Sequence, residues 1–361
     1  MELIPDLPET VARECLLRSS YQQFPLMASV CKLWQREISL PDFFRHRKSS
    51  GHSQELVVLS QAQVDDPVKK LGSGKTIPTP VYRVSVLELG SGLRSELPPV
   101  PGQGQSNGLP LFCRLASVGS DLVVLGGLDP VTWRTSDSVF VFSFLTSTWR
   151  VGASMPGGPR SFFACASDSE RNVFVAGGHD EDKNAMMSAL AYDVAEDKWA
   201  FLPDMGRERD ECTAIFHSGK FHVIGGYATE EQGQFSKTAE SFDVTTWRWG
   251  SQADEFLSTG MTTWPPICAA GENGDLYACC RRDLMVMRGD TWHKVGDLPA
   301  DVCNVSYVAV RRSGKVVVIG SARYGEPSVG YNWDMSNSRW VKLERHEKYE
   351  GHVQAGCFLE M

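Results

Sequence analysis

DLVVLGG at residues 121–127, NVFVAGG at 172–178 and FHVIGG at 221–226 are three copies of one pattern, a short apolar run that ends in a glycine pair. The first glycines of the three pairs are 51 and 48 residues apart. An aromatic residue follows each pair, and a tryptophan follows that residue after seven positions, as Trp149 follows Phe142. Self-similarity at a fixed period is typical of repeat architectures, so this repeat decides the fold.

Tryptophans extend the same period through most of the chain. The spacings are 50, 50, 43 and 48 residues along the series Trp149, Trp199, Trp249, Trp292 and Trp340. Between these positions lie short β-branched and aromatic runs separated by turn residues, about four runs to a repeat, and a four-stranded unit of this length is typical of a propeller blade. We expect the glycines to permit close backbone approach and each tryptophan to pack between adjacent blades.

The two ends of the repeat region complete each other. SQELVVLSQ at 53–61 resembles the second strand of a blade, while VYRVSVLEL at 81–89 and LRSELPP at 93–99 supply a third and a fourth. The missing first strand is found in HVQAGCFLEM at 352–361. A strand shared in this way closes the ring and removes open sheet edges. The sequence therefore predicts an all-β, six-bladed propeller over residues 51–361.

Residues 1–50 follow a helical period instead. Apolar residues between Val11 and Leu16 share one face of a first predicted helix. A second helix is predicted over 24–38, Pro41 ends it, and a short third helix follows. A small all-α domain of this size cannot bury its own apolar faces well, so part of that surface should contact a partner or the propeller.

Charge and hydropathy exclude several classes of protein. The formal net charge is −8 and no basic run is longer than 45–48, which argues against nucleic acid as the main partner because phosphate binding needs a concentrated positive face. The first residues are acidic and broken by Pro5, unlike a secretory signal, and no stretch reaches the roughly 18 apolar residues of a membrane helix. We expect a soluble protein of the cytoplasm and/or nucleus, without a membrane partner.

The 10 cysteines include no C-x-x-C pair, so reduced thiols are the simplest interpretation. Several recur in the predicted innermost strands, among them Cys113, Cys165 and Cys212. They could meet near the central channel and bind a metal ion, but small side chains that fill a narrow inner strand are the favoured interpretation. We predict neither a metal nor another cofactor.

The repeat resembles the kelch repeat, in which a diglycine is followed by an aromatic residue and a tryptophan at a fixed interval. The resemblance covers roughly residues 51–361, and it implies a kelch β-propeller. Two later blades depart from the pattern, with Cys279-Cys280 and then Gly320-Ser321 in place of the diglycine.

The N-terminal segment is similar to the F-box. It has a Leu-Pro start, a mid-helix apolar set and the core VCKLW at 30–34. In that family the motif docks onto a Skp-family adaptor, which tethers it to a cullin–RING ligase. The resemblance implies adaptor contacts at Leu7, Pro8, Val11, Leu16, Leu26, Val30, Cys31, Trp34, Ile38 and Phe43.

An F-box joined directly to kelch repeats looks characteristic of a large plant family. ARECLLRSSY at 12–21 and GHVQAGCF at 351–358 are similar to one subgroup. Its members are associated with turnover of phenylalanine ammonia-lyase, which limits phenylpropanoid synthesis, and of type-B response regulators, which limits cytokinin signalling. The resemblance implies a non-catalytic substrate receptor of an SCF-type (Skp–cullin–F-box) ubiquitin ligase. A kelch scaffold that acts outside a ligase is the alternative.

Two catalytic or nucleotide-binding motifs are incomplete. GSGKT at 72–76 resembles the end of a P-loop, but Lys69 stands where glycine is needed and IPTP at 77–80 cannot begin a helix, so a flexible loop in the first blade is indicated. Some plant kelch proteins hold iron through an E-x-x-x-D-x-x-x-H set. Only His46 has an aspartate, Asp42, four residues before it, and the glutamate is missing. We therefore predict no catalytic residue.

Substrate contacts are expected on one propeller face, where the loops after each second strand and the loops between blades meet. Arginine and tyrosine are favoured at protein interfaces. The candidates are Trp133, Arg134, Arg160, His179, Arg207, Arg209, Tyr227, Arg281, Arg282, Arg323 and Tyr324. An ordinary solvated rim is the alternative, in which the charges of RERD at 207–210 pair internally.

Overall fold

Four short α-helices precede the sheets in the computed structural model, which describes residues 2–64, 80–102, 108–250, 267–271, 273–289 and 291–361. The helices are α1 (Glu9–Leu17), α2 (Phe24–Val30), α3 (Lys32–Ser39) and α4 (Pro41–Ser49). The single helix predicted over 24–38 is therefore wrong. It is two helices, because Cys31 has an extended backbone and its Sγ accepts a hydrogen bond from the Trp34 backbone N–H at the start of α3.

The strands form six four-stranded antiparallel sheets in the described part of the chain. Three strands of the first sheet are β1 (Glu55–Ala62), β2 (Tyr82–Glu88) and β3 (Arg94–Glu96), and its fourth is the last strand of the chain. The second sheet consists of β4 (Arg114–Val118), β5 (Asp121–Leu125), β6 (Val139–Ser143) and β7 (Thr148–Val151). The third consists of β8 (Ala164–Ser167), β9 (Asn172–Ala176), β10 (Ala189–Asp193) and β11 (Lys198–Leu202). The fourth sheet consists of β12 (Thr213–His217), β13 (Lys220–Ile224), β14 (Ala239–Asp243) and β15 (Arg248–Trp249). The fifth consists of β16 (Ile267–Ala270), β17 (Leu276–Cys280), β18 (Asp283–Arg288) and β19 (Thr291–Asp297). The sixth consists of β20 (Asn304–Val310), β21 (Val316–Ser321), β22 (Val329–Asp334) and β23 (Arg339–Lys342). We number them blades 1 to 6.

The last strand, β24 (Val353–Glu360), completes blade 1, whose strand order is β24-β1-β2-β3. It pairs antiparallel with β1, with Leu359 opposite Leu56 and Cys357 opposite Val58. The inner strands β4, β8, β12, β16, β20 and β24 contact one another in turn around the ring. The predicted six blades and the blade shared between the two ends of the repeat region are confirmed.

The diglycines bring neighbouring chain segments together closely. Gly178 has φ +81°, and a Cβ atom there would lie 2.4 Å from the backbone oxygen of Ser161. Gly226 has φ +78°, and its Cβ would lie 2.7 Å from the backbone oxygen of Asp210. Only glycine fits both the backbone conformation and the space, which confirms the predicted role.

The repeated tryptophans join neighbouring blades. Trp199 packs its ring on Tyr192, with centroids 4.8 Å apart, and donates its Nε1–H to the backbone oxygen of Ala153 in the preceding interblade loop at 2.8 Å. Trp249 makes the corresponding bond to Pro203 at 2.6 Å. The predicted wedge between blades is confirmed, and the hydrogen bond fixes its orientation.

The helices and the propeller share one hydrophobic core. Buried Leu16 and Phe24 of the helices belong to the same cluster as Leu122 and Phe142 of blade 2 and Leu359 of β24. Apolar side chains that the helices cannot cover themselves are therefore covered by the first two blades.

Burial accounts for the inner cysteines. Cys113 and Cys212 are buried, and burial raises the pKa of the Cys113 thiol to about 12. Across the described ranges, no three His, Cys, Asp or Glu side chains are grouped as a metal site requires. None of the described helices has both the length and the apolar character needed to span a membrane. The GSGKT segment at 72–76 lies outside the described residues.

Candidate interaction surfaces

The helices leave apolar side chains uncovered. Leu26 and Val30 are four residues apart on α2 and are 71% and 55% exposed. Val11 on α1 is 46% exposed, and Leu7, before it, is 37% exposed. Pro8 and Cys31 are also exposed. Residues four apart lie on one face of a helix, so α2 presents a continuous apolar strip to solvent.

The other predicted adaptor residues lie inside the helical unit. Leu16, Ile38 and Phe43 are 2%, 0% and 1% exposed, so their place is corrected from the surface to the interior. Trp34 is half-buried, and its Nε1–H donates to the backbone oxygen of Leu3 at 2.6 Å. These four side chains hold in place the helices α1 and α2, which carry the exposed apolar residues.

Arg47 is a buried side chain that helps to fasten the helices to blade 1, and its role was not predicted from the sequence. It is fully buried, with its guanidinium 5.0 Å from the centre of the Phe24 ring. It donates to the backbone oxygens of Ser19 at 2.6 Å and His52 at 2.9 Å, and also to that of Leu17. Burial lowers its pKa to about 10, so it stays charged at neutral pH. In the sequence, this role is indicated only by the spacing of four residues between Phe43 and Arg47, which places both side chains on the same face of α4.

The helices pack on the face that carries the tight turns within blades. Tyr21 meets Phe144, in the turn between β6 and β7, with ring centroids 6.1 Å apart. Arg312, in the turn between β20 and β21, donates to the backbone oxygen of Lys48. In an antiparallel blade, the loops after the second strand and those between blades lie at the opposite end. The predicted substrate face is therefore opposite the helices.

Two of the predicted substrate contacts are interior arginines. Arg160 and Arg209 hold equivalent positions in blades 3 and 4 and are 0% exposed, so their place is corrected from the rim to the blade interior. Arg209 donates to the backbone oxygen of Gly225 at 2.6 Å and pairs with Glu240 at 3.1 Å. Arg160 donates to the hydroxyl of Ser188 at 3.0 Å. Both guanidinium groups join neighbouring strands, although the buried Nε–H of Arg160 has no hydrogen-bond partner among the described residues.

Three more candidates are tied into the loops. His179 has a 12% exposed side chain, and its Nδ1 lies 2.9 Å from Asp210. Tyr227 is 5% exposed and donates its hydroxyl to Glu211 at 2.8 Å, so its place is also corrected to the interior. Arg207 pairs with Glu231 at 2.7 Å. The charged side chains of RERD at 207–210 therefore pair with other segments of the chain rather than with each other.

The remaining candidates are exposed. Trp133 is 57% and Tyr324 66% exposed, and Arg134 pairs with Glu181 at 3.3 Å. The other exposed ones are Arg281, Arg282 and Arg323, on blades 5 and 6. Four acidic or apolar loop residues that were not among the predicted contacts are also exposed on blades 2 to 4: Val131, Asp182, Asp204 and Glu230. The excess of carboxylates in those loops is the feature of the sequence that could have identified the acidic residues as contacts.

Comparisons with known proteins agree with this architecture. The Kelch motif matches residues 111–156. Among solved structures, that of YjhT shares 16% sequence identity, covers 70% of this chain and 88% of its own, and superposes with a TM-score of 0.52, which shows the fold alone.

Full-length relatives share both parts of the chain. One F-box/kelch-repeat protein of Arabidopsis thaliana is 89% identical, with 100% of each chain covered, and a second is 68% identical, also over 100% of each chain. The chain belongs to the F-box/kelch-repeat protein family.

Proposed function

We propose that this chain is the non-catalytic substrate-receptor subunit of an SCF-type ubiquitin ligase. The observation that carries the proposal is the exposed apolar strip of Leu26 and Val30 on α2, in a helical unit similar to the F-box. Soluble proteins rarely leave such strips uncovered unless another protein covers them. The strip is the proposed docking site for a Skp-family adaptor, and through it for a cullin–RING ligase.

The proposed mechanism is proximity. The adaptor holds the chain by its helices, and the opposite face of the propeller holds the target protein. Tethering raises the local concentration of target lysines near the charged conjugating enzyme. This role requires no catalytic group in the receptor itself.

Adaptor binding is the direct test. We expect Leu26→Asp combined with Val30→Asp to weaken binding of a purified Skp-family adaptor by at least about tenfold, because both side chains are truncated and charged at the proposed contact. Val341→Asp is the matched control, since Val341 on β23 is 53% exposed against 55% for Val30 and lies on the propeller. Isothermal titration calorimetry on the full-length chain measures the adaptor affinity of the double variant and of the control.

The control also separates the alternatives. Equal binding by the double variant and by Val341→Asp would contradict the proposed docking site. An adaptor that does not bind the unaltered chain would overturn the ligase role in favour of a kelch scaffold. Removal of residues 1–50 is a poorer test, because it would expose the part of the shared core that the helices cover, including Phe144, which packs against Tyr21.

We also propose the target class: phenylalanine ammonia-lyase and/or type-B response regulators, with the chain acting in the cytoplasm and/or nucleus. The support is the similarity of residues 12–21 and 351–358 to the plant subgroup associated with their turnover. Co-expression should shorten the half-life of a true target, proteasome inhibition should restore it, and the α2 double variant should fail to shorten it. An unchanged half-life for both classes would reject this assignment, and a fluorescent fusion tests the location.

A further inference from the structure

A bulky apolar pair stands at the tip of blade 2, on the face opposite the helices. Val131 and Trp133 are 71% and 57% exposed, in the loop between β5 and β6. Asp129 organises this loop, since its carboxylate accepts the backbone N–H groups of Val131 at 3.0 Å and Thr132 at 2.6 Å. Trp133 has φ +58°, a conformation that is unfavourable for a bulky side chain. The loop thus holds a large apolar group in solvent at a cost in backbone strain.

Hydrogen bonds and ion pairs connect this loop to those of blades 3 and 4. Arg134 beside Trp133 pairs with Glu181 at 3.3 Å. The Ala185 N–H donates to the hydroxyl of Thr229 at 2.8 Å, and that hydroxyl donates to Glu208 at 3.1 Å. The loops at 177–188, 203–212 and 225–238 therefore form one connected surface, which we name the acidic arc.

The arc carries a net negative charge. Its three loops contain nine carboxylates and four basic side chains. Of the basic ones, Arg209 is buried against Glu240 and Arg207 is paired with Glu231, so neither offers a free positive charge. The other two, Lys183 and Lys237, are exposed, and the three loops keep an excess of five carboxylates over basic side chains (nine against four). Three exposed carboxylates have no ion pair with any described residue: Asp182, Asp204 and Glu230.

We propose that the acidic arc, with Val131 and Trp133 as its apolar anchor, binds a segment of the target protein that is rich in lysine or arginine and carries a large apolar side chain. This rests on the proposed function in taking the occupant to be the ligase target. Charge complementarity selects the basic segment, and a preordered exposed tryptophan is the side chain most often dominant in such contacts. The arginines of blades 5 and 6 lie outside the arc.

Selection of random peptides tests the chemistry even while the target protein is unidentified. The full-length chain is used to select from a phage-displayed library of peptides about 12 residues long, a length that spans several propeller loops. We expect enriched peptides to be net positive with at least one leucine, phenylalanine or tryptophan. A synthetic peptide of the most enriched sequence is then titrated by fluorescence anisotropy, and its affinity should fall as salt rises from about 50 to 300 mM.

Variants locate the binding site. Trp133→Ala and the double charge reversal of Asp182→Lys with Glu230→Lys should each weaken peptide binding by at least about tenfold. The matched controls lie in turns on the face that carries the helices: Trp247→Ala, since Trp247 is 45% exposed with φ +59°, and Glu170→Lys at an exposed glutamate. Both controls should change the affinity by less than about twofold.

The inference is overturned if the enriched peptides are neutral or acidic, if nothing is enriched, or if both arc variants bind as the unaltered chain does. Adaptor titration on the same proteins keeps the two proposals apart. Loss of adaptor binding with intact peptide binding removes the ligase role and leaves the arc, and the reverse result removes the arc alone.

Discussion

Replacement of Glu240 by glutamine isolates the stability of one buried ion pair. The Arg209 and Glu240 side chains are 0% and 4% exposed, and Glu240 also accepts the Gly206 N–H at 2.6 Å. Glutamine keeps the shape and an oxygen for Gly206 but removes the charge that faces the guanidinium. Because a buried charge is left without its partner, we expect the free energy of unfolding to fall by about 3–5 kcal/mol.

An exposed ion pair of the same chemistry supplies the comparison. Arg134 and Glu181 are 72% and 44% exposed, so Glu181→Gln should cost less than about 1 kcal/mol. Equilibrium urea denaturation at pH 7, followed by tryptophan fluorescence, measures both variants. Equal costs would refute the assignment of stability to the Arg209 pair. Replacing both partners, as Arg209→Met with Glu240→Leu, should recover much of the loss because no unpaired charge remains.

Blade 3 shows why Glu240→Gln should still fold. Arg160 is equivalent to Arg209, but Leu190 stands where blade 4 has Glu240. Burial lowers the pKa of Arg160 to about 10, so the guanidinium remains charged at pH 7 with hydroxyl and carbonyl partners alone. The fold therefore accepts an arginine without a carboxylate at this position, at a cost in stability.

Three further substitutions probe the blade architecture. Gly178→Ala should lower the free energy of unfolding by at least about 1 kcal/mol, because φ is +81° and the new Cβ would meet a backbone oxygen at 2.4 Å; an unchanged urea midpoint would contradict this. Trp199→Phe keeps an aromatic ring but loses the bond to Ala153, at an expected cost of about 0.5–1.5 kcal/mol, and the same substitution at exposed Trp133 should cost less. Burial lowers the pKa of His222 from 6.5 to about 4, so the unfolded chain takes up a proton there that the folded chain does not. The contribution of neutral His222 to the free energy of unfolding is then fully present above about pH 6.5, and up to about 3 kcal/mol of it is lost as the pH falls towards 4. His222→Gln should make the free energy of unfolding, measured by urea denaturation between about pH 4 and 7, depend less on pH. An unchanged pH dependence would mean that another group causes it.

Periodicity predicted the propeller because each blade repeats the same local requirements. Gly178 and Trp199 satisfy a backbone conformation and an interblade contact that recur at a fixed spacing, so the sequence shows them directly. The helix break at Cys31 left no such trace. Apolar spacing continues across 24–38, and only the extended backbone at Cys31, with its sulfur as a cap, separates α2 from α3.

The substrate face was harder to predict because its pairing is long-range. Arg134 and Glu181 are 47 residues apart, and Arg209 and Glu240 are 31 apart, so nothing local distinguishes a solvated arginine from a paired one. Arg160 and Arg209 do carry one trace of burial, since they precede the first glycine of their diglycines by nearly equal distances, 17 and 16 residues. Repetition at a fixed place in the blade indicates a structural role better than residue type does.

The joint between the helices and the propeller bears on the proposed mechanism. A flexible linker would let the adaptor surface and the target surface move independently, whereas here buried Arg47 bonds to backbone oxygens on both sides of the junction, from Ser19 to His52. Glu55 of β1 is further held by Arg311, at 2.6 Å, where blade 6 meets blade 1. The helices that carry the α2 strip and the loops of the acidic arc therefore belong to one body and lie on opposite sides of the propeller. In the proposed receptor, the fold then sets the position of a docked target relative to the conjugating enzyme. Only those target lysines that point towards the conjugating enzyme in this fixed arrangement can be modified.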